Sequence, residues 1–461
     1  MFNPKSVNSI VSYAKELKGY TLREKCGSKI GKHDYKGKGN FGQLVEKFYF
    51  GYEPNSKAEA DFVDVGMELK CTPLKTLKKG DYRSKERLVL NIINYLEVHT
   101  ENFEQSSFWK KNAHLLLIFY LHDEEKDLLD YLIKLVEDWE YPNQDLIIIK
   151  KDWELINQKI KDGKAHELSE GDTFYLGACT KGSTAAKSLR KQPFNEIKAK
   201  QRAYSLKQGY VNHIIASIAQ EEQETFGKIL TQESILTHLK SIEEIVISKF
   251  EPYYGKTPIE IENIFNLELN RKAKSYFANL TKAILGIGLN KKIEEFEKAN
   301  IQVKTIRLEE KGSPKEHISF PSFKYKELIE TVWDNSDFKD LLESKFFFVF
   351  FQFKGKELIL RKVKFWNMNH SDILEAKKVW EEMVETVSNG KIVKEVTEKG
   401  IRKSYFPKQN KNRVSHVRPH ARNSSDTYDL PIPDKLTGLT EFTKHCFWLN
   451  ASYVKDEIYN R

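Results

Sequence analysis

Asp61-Phe-Val-Asp-Val-Gly-Met-Glu68-Leu-Lys70 is the stretch on which the reading of this chain turns. Taken as a strand it alternates: Val63, Val65, Met67 and Leu69 point one way, while Asp64, Glu68 and Lys70 point the other. Glu68 and Lys70 are then neighbours on one polar face. Asp61 enters at the start of the strand, where pleat and twist bring a third charged group to the same end. Two carboxylates and an ammonium in one place suit a divalent cation and a water. A hard cation such as Mg²⁺ takes oxygen ligands and keeps several waters. The lysine can orient the attacking water, and the cation stabilises charge developing on a phosphate. The spacing is D-(x)6-E-x-K. Taken alone it is a weak signal, because E-x-K on an edge strand is commonly a solvated pair worth little.

Upstream, Val7, Ile10, Val11, Tyr13, Ala14 and Leu17 have helical spacing and predict an opening helix over 4–17. Gly37-Lys-Gly39-Asn-Phe-Gly42 has the letters of a dinucleotide fingerprint, but Lys32-His-Asp-Tyr-Lys36 before it is no buried strand. It reads instead as a turn leading into a helix over Phe41–Phe50, with Leu44, Val45 and Phe48 as the apolar face. Glu46 falls between them. A lone Glu on a helix is commonly solvated, yet this one lies 15 residues before Asp61 and can be brought back to the strand.

Downstream, Arg87-Leu-Val-Leu-Asn-Ile-Ile-Asn-Tyr95 is a strand or a helix; the run is too uniformly apolar to choose. His114–Tyr120 reads as a buried strand, preceded by Lys110 and Lys111. Asp145–Ile149 reads as another, followed by a helix over Asp152–Ile160. Thr173–Gly177 predicts a strand running into the basic, small-residue loop Cys179-Thr-Lys181-Gly-Ser-Thr-Ala-Ala-Lys187. Strands interleaved with helices make a mixed α/β domain ending near residue 215. Segment 219–248 is charged and helical, with Glu221-Glu-Gln-Glu early in it, and joins the two halves.

A chain of 461 residues exceeds what one core usually serves, so two domains are expected. With 40% hydrophobic and 12% aromatic residues, there is ample material for packed cores. The net charge of +9 is spread along the chain, which suits a protein facing a polyanion and also an ordinary basic protein. Cys26, Cys71, Cys179 and Cys446 lie far apart with no C-x-x-C pair, which argues against structural zinc and a disulfide framework. No apolar run approaches a membrane span, and the expected setting is soluble and cytoplasmic.

The second half repeats the first. Glu295-Phe-Glu-Lys-Ala-Asn-Ile-Gln302-Val-Lys304-Thr305 lines up with Asp61–Cys71 without a gap, with Gln302 in the place of Glu68 and Lys304 in the place of Lys70. Leu280–Gly286 matches Leu44–Gly51 and puts Thr281 near the place of Glu46; Phe447, Leu449 and Tyr453 repeat the spacing of Tyr204, Leu206 and Tyr210. Three matches in the same order indicate a tandem duplication. Gln302 is neutral, so the second copy is expected to keep the fold and lose the chemistry. The expected boundaries are 1–218 for the catalytic domain, 219–248 for the linker and 249–461 for the inactive copy.

Lys38-Gly-Asn-Phe-Gly42 with Leu44-Val-Glu46, then Asp61, Glu68-Leu69-Lys70 and the trailing Thr72-Pro73, form one ordered set. This set resembles the MutH-like nucleases, of PD-(D/E)xK restriction-endonuclease type. The family includes the methyl-directed nicking endonuclease of mismatch repair and the restriction endonucleases that cut GATC. The chain is most similar to the duplicated GATC-cutting enzymes, which carry an active and an inactive copy. The likeness extends to Ser84–Tyr95, Lys164-Ala-His-Glu-Leu-Ser-Glu170 and Ile197-Lys-Ala-Lys-Gln-Arg202, and so covers nearly the whole chain.

Carried over position by position, the resemblance implies Asp61 and Glu68 as metal ligands, with Leu69 in the same ligand set. It implies Lys70 as the water-orienting lysine and Glu46 as an assistant to a second metal or a water. Lys111, with Lys110 as the alternative, matches a further active-site lysine. For DNA contact the resemblance points to Lys181, and to Tyr204 and Lys207 in the segment Arg202–Lys207. Where the nicking enzyme has R-P-K, this chain has Cys179-Thr-Lys181, while His416-Val-Arg418-Pro-His420 in the second copy is closer, so Arg418 and His420 are expected to bind DNA. The implied function is a type II restriction endonuclease hydrolysing double-stranded DNA at GATC with Mg²⁺, the second copy acting as an allosteric DNA-binding effector. A cognate DNA methyltransferase in the same system and a transient or DNA-induced dimer are the implied partners, with no membrane. The alternatives are a methyl-directed nickase and a non-cleaving sequence-specific DNA-binding protein.

Overall fold

The computed structural model describes residues 2–30, 40–54, 59–77, 80–182, 188–218, 225–230 and 241–461. Lys38 and Gly39 of the glycine-rich turn, the loop centre 183–187, and 219–224 and 231–240 of the expected linker lie outside the described residues. The fold is mixed α/β, in two compact units: Met1–His238 with Asn290–Asn300, and Leu239–Leu289 with Ile301–Arg461.

In the first unit β1 (Met67–Thr76) lies between β2 (Tyr82–Ser84), antiparallel to it, and β4 (His114–Leu121), parallel to it; β5 (Ile133–Glu140) closes the sheet antiparallel to β4. The core of β4, Leu115–Phe119, is buried throughout, as a central strand covered on both faces must be. One face of the sheet packs Met67, Leu69, Leu116 and Ile118 against Ile10, Val11 and Ala14 of the helix Val7–Lys15 and against Leu44 and Val45. A second sheet joins β3 (Leu88–Ile92), β9 (Arg202–Leu206) and β6 (Leu176–Thr180), with β9 in the middle. Between β6 and β9 the chain makes a ribbon of β7 (Leu189–Gln192) and β8 (Asn195–Lys200).

Three expectations are corrected. The strand in the opening stretch begins at Met67. Residues Val63–Val65 form a 3₁₀ turn closed by Gly66 at φ +64°, which a side chain rarely tolerates, and Val63 is 65% exposed. Asp145–Ile149 is no strand but part of one helix, Asn143–Lys161, in which Ile149, Trp153, Ile156 and Ile160 form the buried stripe. A short apolar run cannot be told from the start of a helix by periodicity alone, and Pro142 just before it favours the helix. The strand expected at Thr173–Gly177 starts at Leu176, because the Asp152 carboxylate takes the N–H groups of Phe174, Tyr175 and Leu176.

The second unit repeats this topology. β10 (Gln302–Leu308) runs parallel to β12 (Phe346–Lys354), which pairs antiparallel with β13 (Glu357–Trp366). β11 (Ile318–Ser322), β15 (His445–Leu449) and β14 (Ser415–Pro419) form the second sheet, with β15 in the middle as β9 is in the first. The 19-residue helix His370–Ser388 matches the 19-residue helix Asn143–Lys161. Tyr453 Oη donates to Asp372 at 2.7 Å, as Tyr210 Oη donates to Asp145 at 2.9 Å. Phe346–Phe351 is buried throughout, the counterpart of Leu115–Phe119. This unit also begins earlier than residue 249: Ser241 caps the helix Ile242–Phe250, whose Phe250 ring lies 5.5 Å from Phe347.

Candidate active site

The acidic site is assembled on β1 and the turn before it. Glu68 is 2% exposed and makes a fork of contacts: Oε1 accepts from Lys70 Nζ at 2.7 Å and lies 3.4 Å from Lys111 Nζ, while Oε2 accepts the Asp61 N–H at 3.2 Å. The Asp61 carboxylate accepts the Leu69 N–H at 3.0 Å. The 3₁₀ turn over Val63–Val65 and the left-handed Gly66 thus fold Asp61 back onto the strand that follows it. Lys70 is fixed from behind by the Leu90 carbonyl at 3.0 Å, and Lys111 by the Glu59 carbonyl at 3.0 Å. Lys111 faces the acidic group, whereas Lys110 is exposed.

Burial and two like charges, Glu68 and then Glu46, push the Asp61 carboxyl up to about 7, against the Leu69 N–H and Lys111. Glu46 is also raised, by burial and then by Glu68. Glu46 is thereby an electrostatic neighbour of the pair, from the half-buried side of the π-helical turn Val45–Phe50. No motif or spacing points to Tyr52 or Leu90. The Tyr52 hydroxyl is buried without a hydrogen-bond partner among the described residues, and burial and then Asp61 raise its pKa.

These donors fit a hard cation. Three carboxylates (Glu46, Asp61, Glu68) are set against two ammoniums (Lys70, Lys111), and burial, then the charges of Glu68 and Glu46, raises the Asp61 carboxyl. Among the described residues no three His, Cys, Asp or Glu side chains close a ready-made cage. Mg²⁺ is ordinarily held by one or two carboxylates, with waters and substrate phosphate completing its shell. A carboxyl raised above its ordinary value favours the protonated fold, so its contribution to stability falls as pH rises from about 4 through about 7. Mg²⁺ is therefore expected to raise the melting temperature more at pH 8 than at pH 5.5, and Asp61→Asn to remove that difference. Thermal scans with and without Mg²⁺ decide it; an equal Mg²⁺ effect at both pH values would reject the coupling.

The residues expected to touch DNA separate into two groups. Lys181 is exposed at the end of β6, its N–H bound to the Gln201 carbonyl at 2.8 Å. Tyr204 and Lys207 are corrected: Tyr204 is 1% exposed against Phe108, and Lys207 is 3% exposed with Nζ on the Thr173 carbonyl at 2.6 Å. Both side chains are buried within the unit, which takes them away from surface contact with DNA. In the second unit Arg418 and His420 are exposed, the guanidinium 5.7 Å and the imidazole 5.6 Å from the Trp448 ring centre. Pairing of Cys179 with Ala203 and of Arg418 with Cys446 puts Arg418 at the register of Cys179, and His420 at that of Lys181.

Counterparts of the acidic set are present in the second repeat but carry different chemistry. Gln302 opens β10, Thr281 Oγ1 is bound to the Phe277 carbonyl at 3.0 Å, and burial holds the Lys304 ammonium below its ordinary value. Glu295, at the place of Asp61, accepts the N–H groups of Ile229 and Leu230 at 2.9 and 2.8 Å.

The family model for the DNA mismatch repair enzyme MutH matches residues 50–152. Over nearly its full length the chain is similar to a type II restriction enzyme, Sau3AI of Staphylococcus aureus: 37% identical, covering 96% of each chain. The DNA mismatch repair protein MutH of Shewanella amazonensis is 26% identical over 40% of this chain and 81% of its own. That of Vibrio campbellii is 25% identical over 46% of this chain and 94% of its own.

Proposed function

This chain belongs to the MutH-like nucleases as a full-length relative of a type II restriction enzyme, and on that premise we propose that it hydrolyses both strands of double-stranded DNA at GATC with Mg²⁺. It is a restriction endonuclease, and DNA is its substrate. The observation that carries the chemistry is the Glu68 fork, which brings Lys70, Lys111 and the backbone of Asp61 to one buried carboxylate. Asp61 and Glu68, with the backbone carbonyl of Leu69, would hold the cation. Bound there, Mg²⁺ supplies Lewis-acid stabilisation of the charge that develops on the scissile phosphate. Lys70 orients the attacking water, its ammonium aimed by Glu68 and the Leu90 carbonyl. Lys111 offers a second positive group to the phosphate, and Glu46 adjusts the charge of the set. Lys181 reads a base edge, the role in which Lys or Arg on guanine is the commonest specific contact.

The second unit, with Arg418 and His420 exposed on its β14 end, binds a second DNA site and stimulates the first. A cognate DNA methyltransferase protects host sites, and two chains pair transiently to cut both strands. The direct test is digestion of unmethylated DNA with and without Mg²⁺. Discrete GATC fragments are expected; nicked circles would favour the repair nickase, and no cleavage under any divalent metal would favour the binding protein. A plasmid with two sites is expected to be cut faster than one with a single site, and site-bearing oligonucleotide to speed the latter. Equal rates and no oligonucleotide effect would reject the effector role.

A further inference from the structure

Residues 290–300 are second-repeat sequence built into the first unit. Lys292 and Ile293 pair parallel with Phe226 and Gly227, and Glu295 holds the Ile229 and Leu230 N–H groups. At Gly209 a Cβ would lie 1.9 Å from the Glu297 carbonyl oxygen, so only glycine admits the segment there. Lys207 Nζ is 3.4 Å from the Ala299 carbonyl.

The centre of the segment is a buried charge cluster. Lys298 Nζ donates to both oxygens of Asp145, at 3.0 and 2.9 Å, and lies 2.8 Å from Glu294 Oε1. The Lys298 side chain is 5% exposed and that of Asp145 6%. Removing the partner of a buried charge is strongly destabilising. The second unit answers the same need from within: Asp372, the counterpart of Asp145, pairs with Arg413, two residues before β14. Two residues before β6 the first unit has Phe174, which carries no charge. Its cation comes instead from residue 298.

The turn concerned is the second repeat's version of the one that bears Asp61. It ends in Asn300 at φ +54°, as the other ends in Gly66 at φ +64°, two residues before the first polar strand position. In the first repeat the turn delivers an acid to the acidic site; in the second it fastens the nuclease unit. We propose that residues 290–300 are the completing strap of the catalytic unit, so that a chain lacking them cannot cut DNA. The strap makes cleavage conditional on synthesis reaching past residue 300, well into the second repeat. A nuclease half emerging first is held inactive by its own unpaired Asp145. The loss of cleavage rests on the nuclease reading; the packing of the strap does not.

The test uses the full chain. Lys298→Met is expected to lower cleavage of unmethylated DNA by about ten-fold or more, lower the melting midpoint, and speed hydrogen exchange at Ile229 and Leu230. Exchange in the helix His370–Ser388 should stay as in the wild type. Adding Asp145→Asn, whose amide oxygen still accepts the Tyr210 hydroxyl, should recover cleavage and melting. A Lys298→Met chain that cuts, melts and exchanges like the wild type overturns the proposal, as does a double variant that recovers nothing. If the wild type cuts no DNA, the nuclease reading fails, while melting and exchange still decide whether the strap completes the unit.

Discussion

Glu68→Ala is expected to lower the rate of DNA cleavage by on the order of 10³-fold, which corresponds to about 4 kcal/mol of transition-state stabilisation. Glu68 joins three parts of the acidic site: Lys70 at 2.7 Å, Lys111 at 3.4 Å and the Asp61 N–H at 3.2 Å. Without it the two lysines lose their shared counter-charge, Lys70 loses its aim, and the cation loses a ligand. Because a local collapse would also stop cleavage, Glu68→Gln keeps the shape and removes only the charge. Lys70→Met separates the roles further. It should also abolish cleavage yet keep the Mg²⁺-dependent rise in melting temperature, which Glu68→Gln should lose. Gln302→Ala should leave all of these as in the wild type. Digestion assays beside thermal scans check the set, and near-normal cleavage by Glu68→Gln would remove Glu68 from the mechanism.

The largest expected effect on stability is at Asp152. Its carboxylate is 1% exposed and accepts the N–H groups of Phe174, Tyr175 and Leu176 at 2.8, 2.6 and 2.9 Å. Those bonds start β6, and β6 ends at the loop that presents Lys181. Asp152→Ala leaves three buried donors without a partner and is expected to cost about 3–5 kcal/mol, since such losses overlap. Burial raises the Asp152 carboxyl to about 6 despite these bonds. Raised means that the fold binds the proton more tightly than the unfolded chain does, so this group's contribution declines as pH rises from about 4 through about 6. Urea unfolding at pH 7.5 measures the loss, and a change below about 1 kcal/mol would mean that the N–H groups find other acceptors.

Several features were legible in the sequence because their physics is local. β4 is readable from a run of apolar residues, β1 in part from alternation at Met67–Lys70, and the duplication from a repeated order of acids, lysines and aromatics. Asp61, Glu68 and Lys70 were found together because seven residues and one tight turn separate the first from the second. Likeness points to Lys111, but only the fold puts it 3.4 Å from Glu68, by pairing β1 with β4 in parallel just after the helix Ser107–Asn112. Tyr204 and Lys207 show the opposite limit. A motif match carries no information on what covers a side chain, and both of these are buried within the unit.

Sequence alone determined the fold class, the acidic set on β1 and the neutral Gln302 in the second repeat, all of which depend on residue identity at short spacing. Tertiary structure alone decided the course of the unit boundary. Residues 290–300 read as second-repeat sequence because their letters align with 56–66, yet they lie in the first unit. The reason is the buried Asp145 carboxylate, which needs a cation and has none from its own repeat at the place where Asp372 has Arg413. Which partner meets a buried charge depends on where distant segments converge, and no spacing along the chain records that.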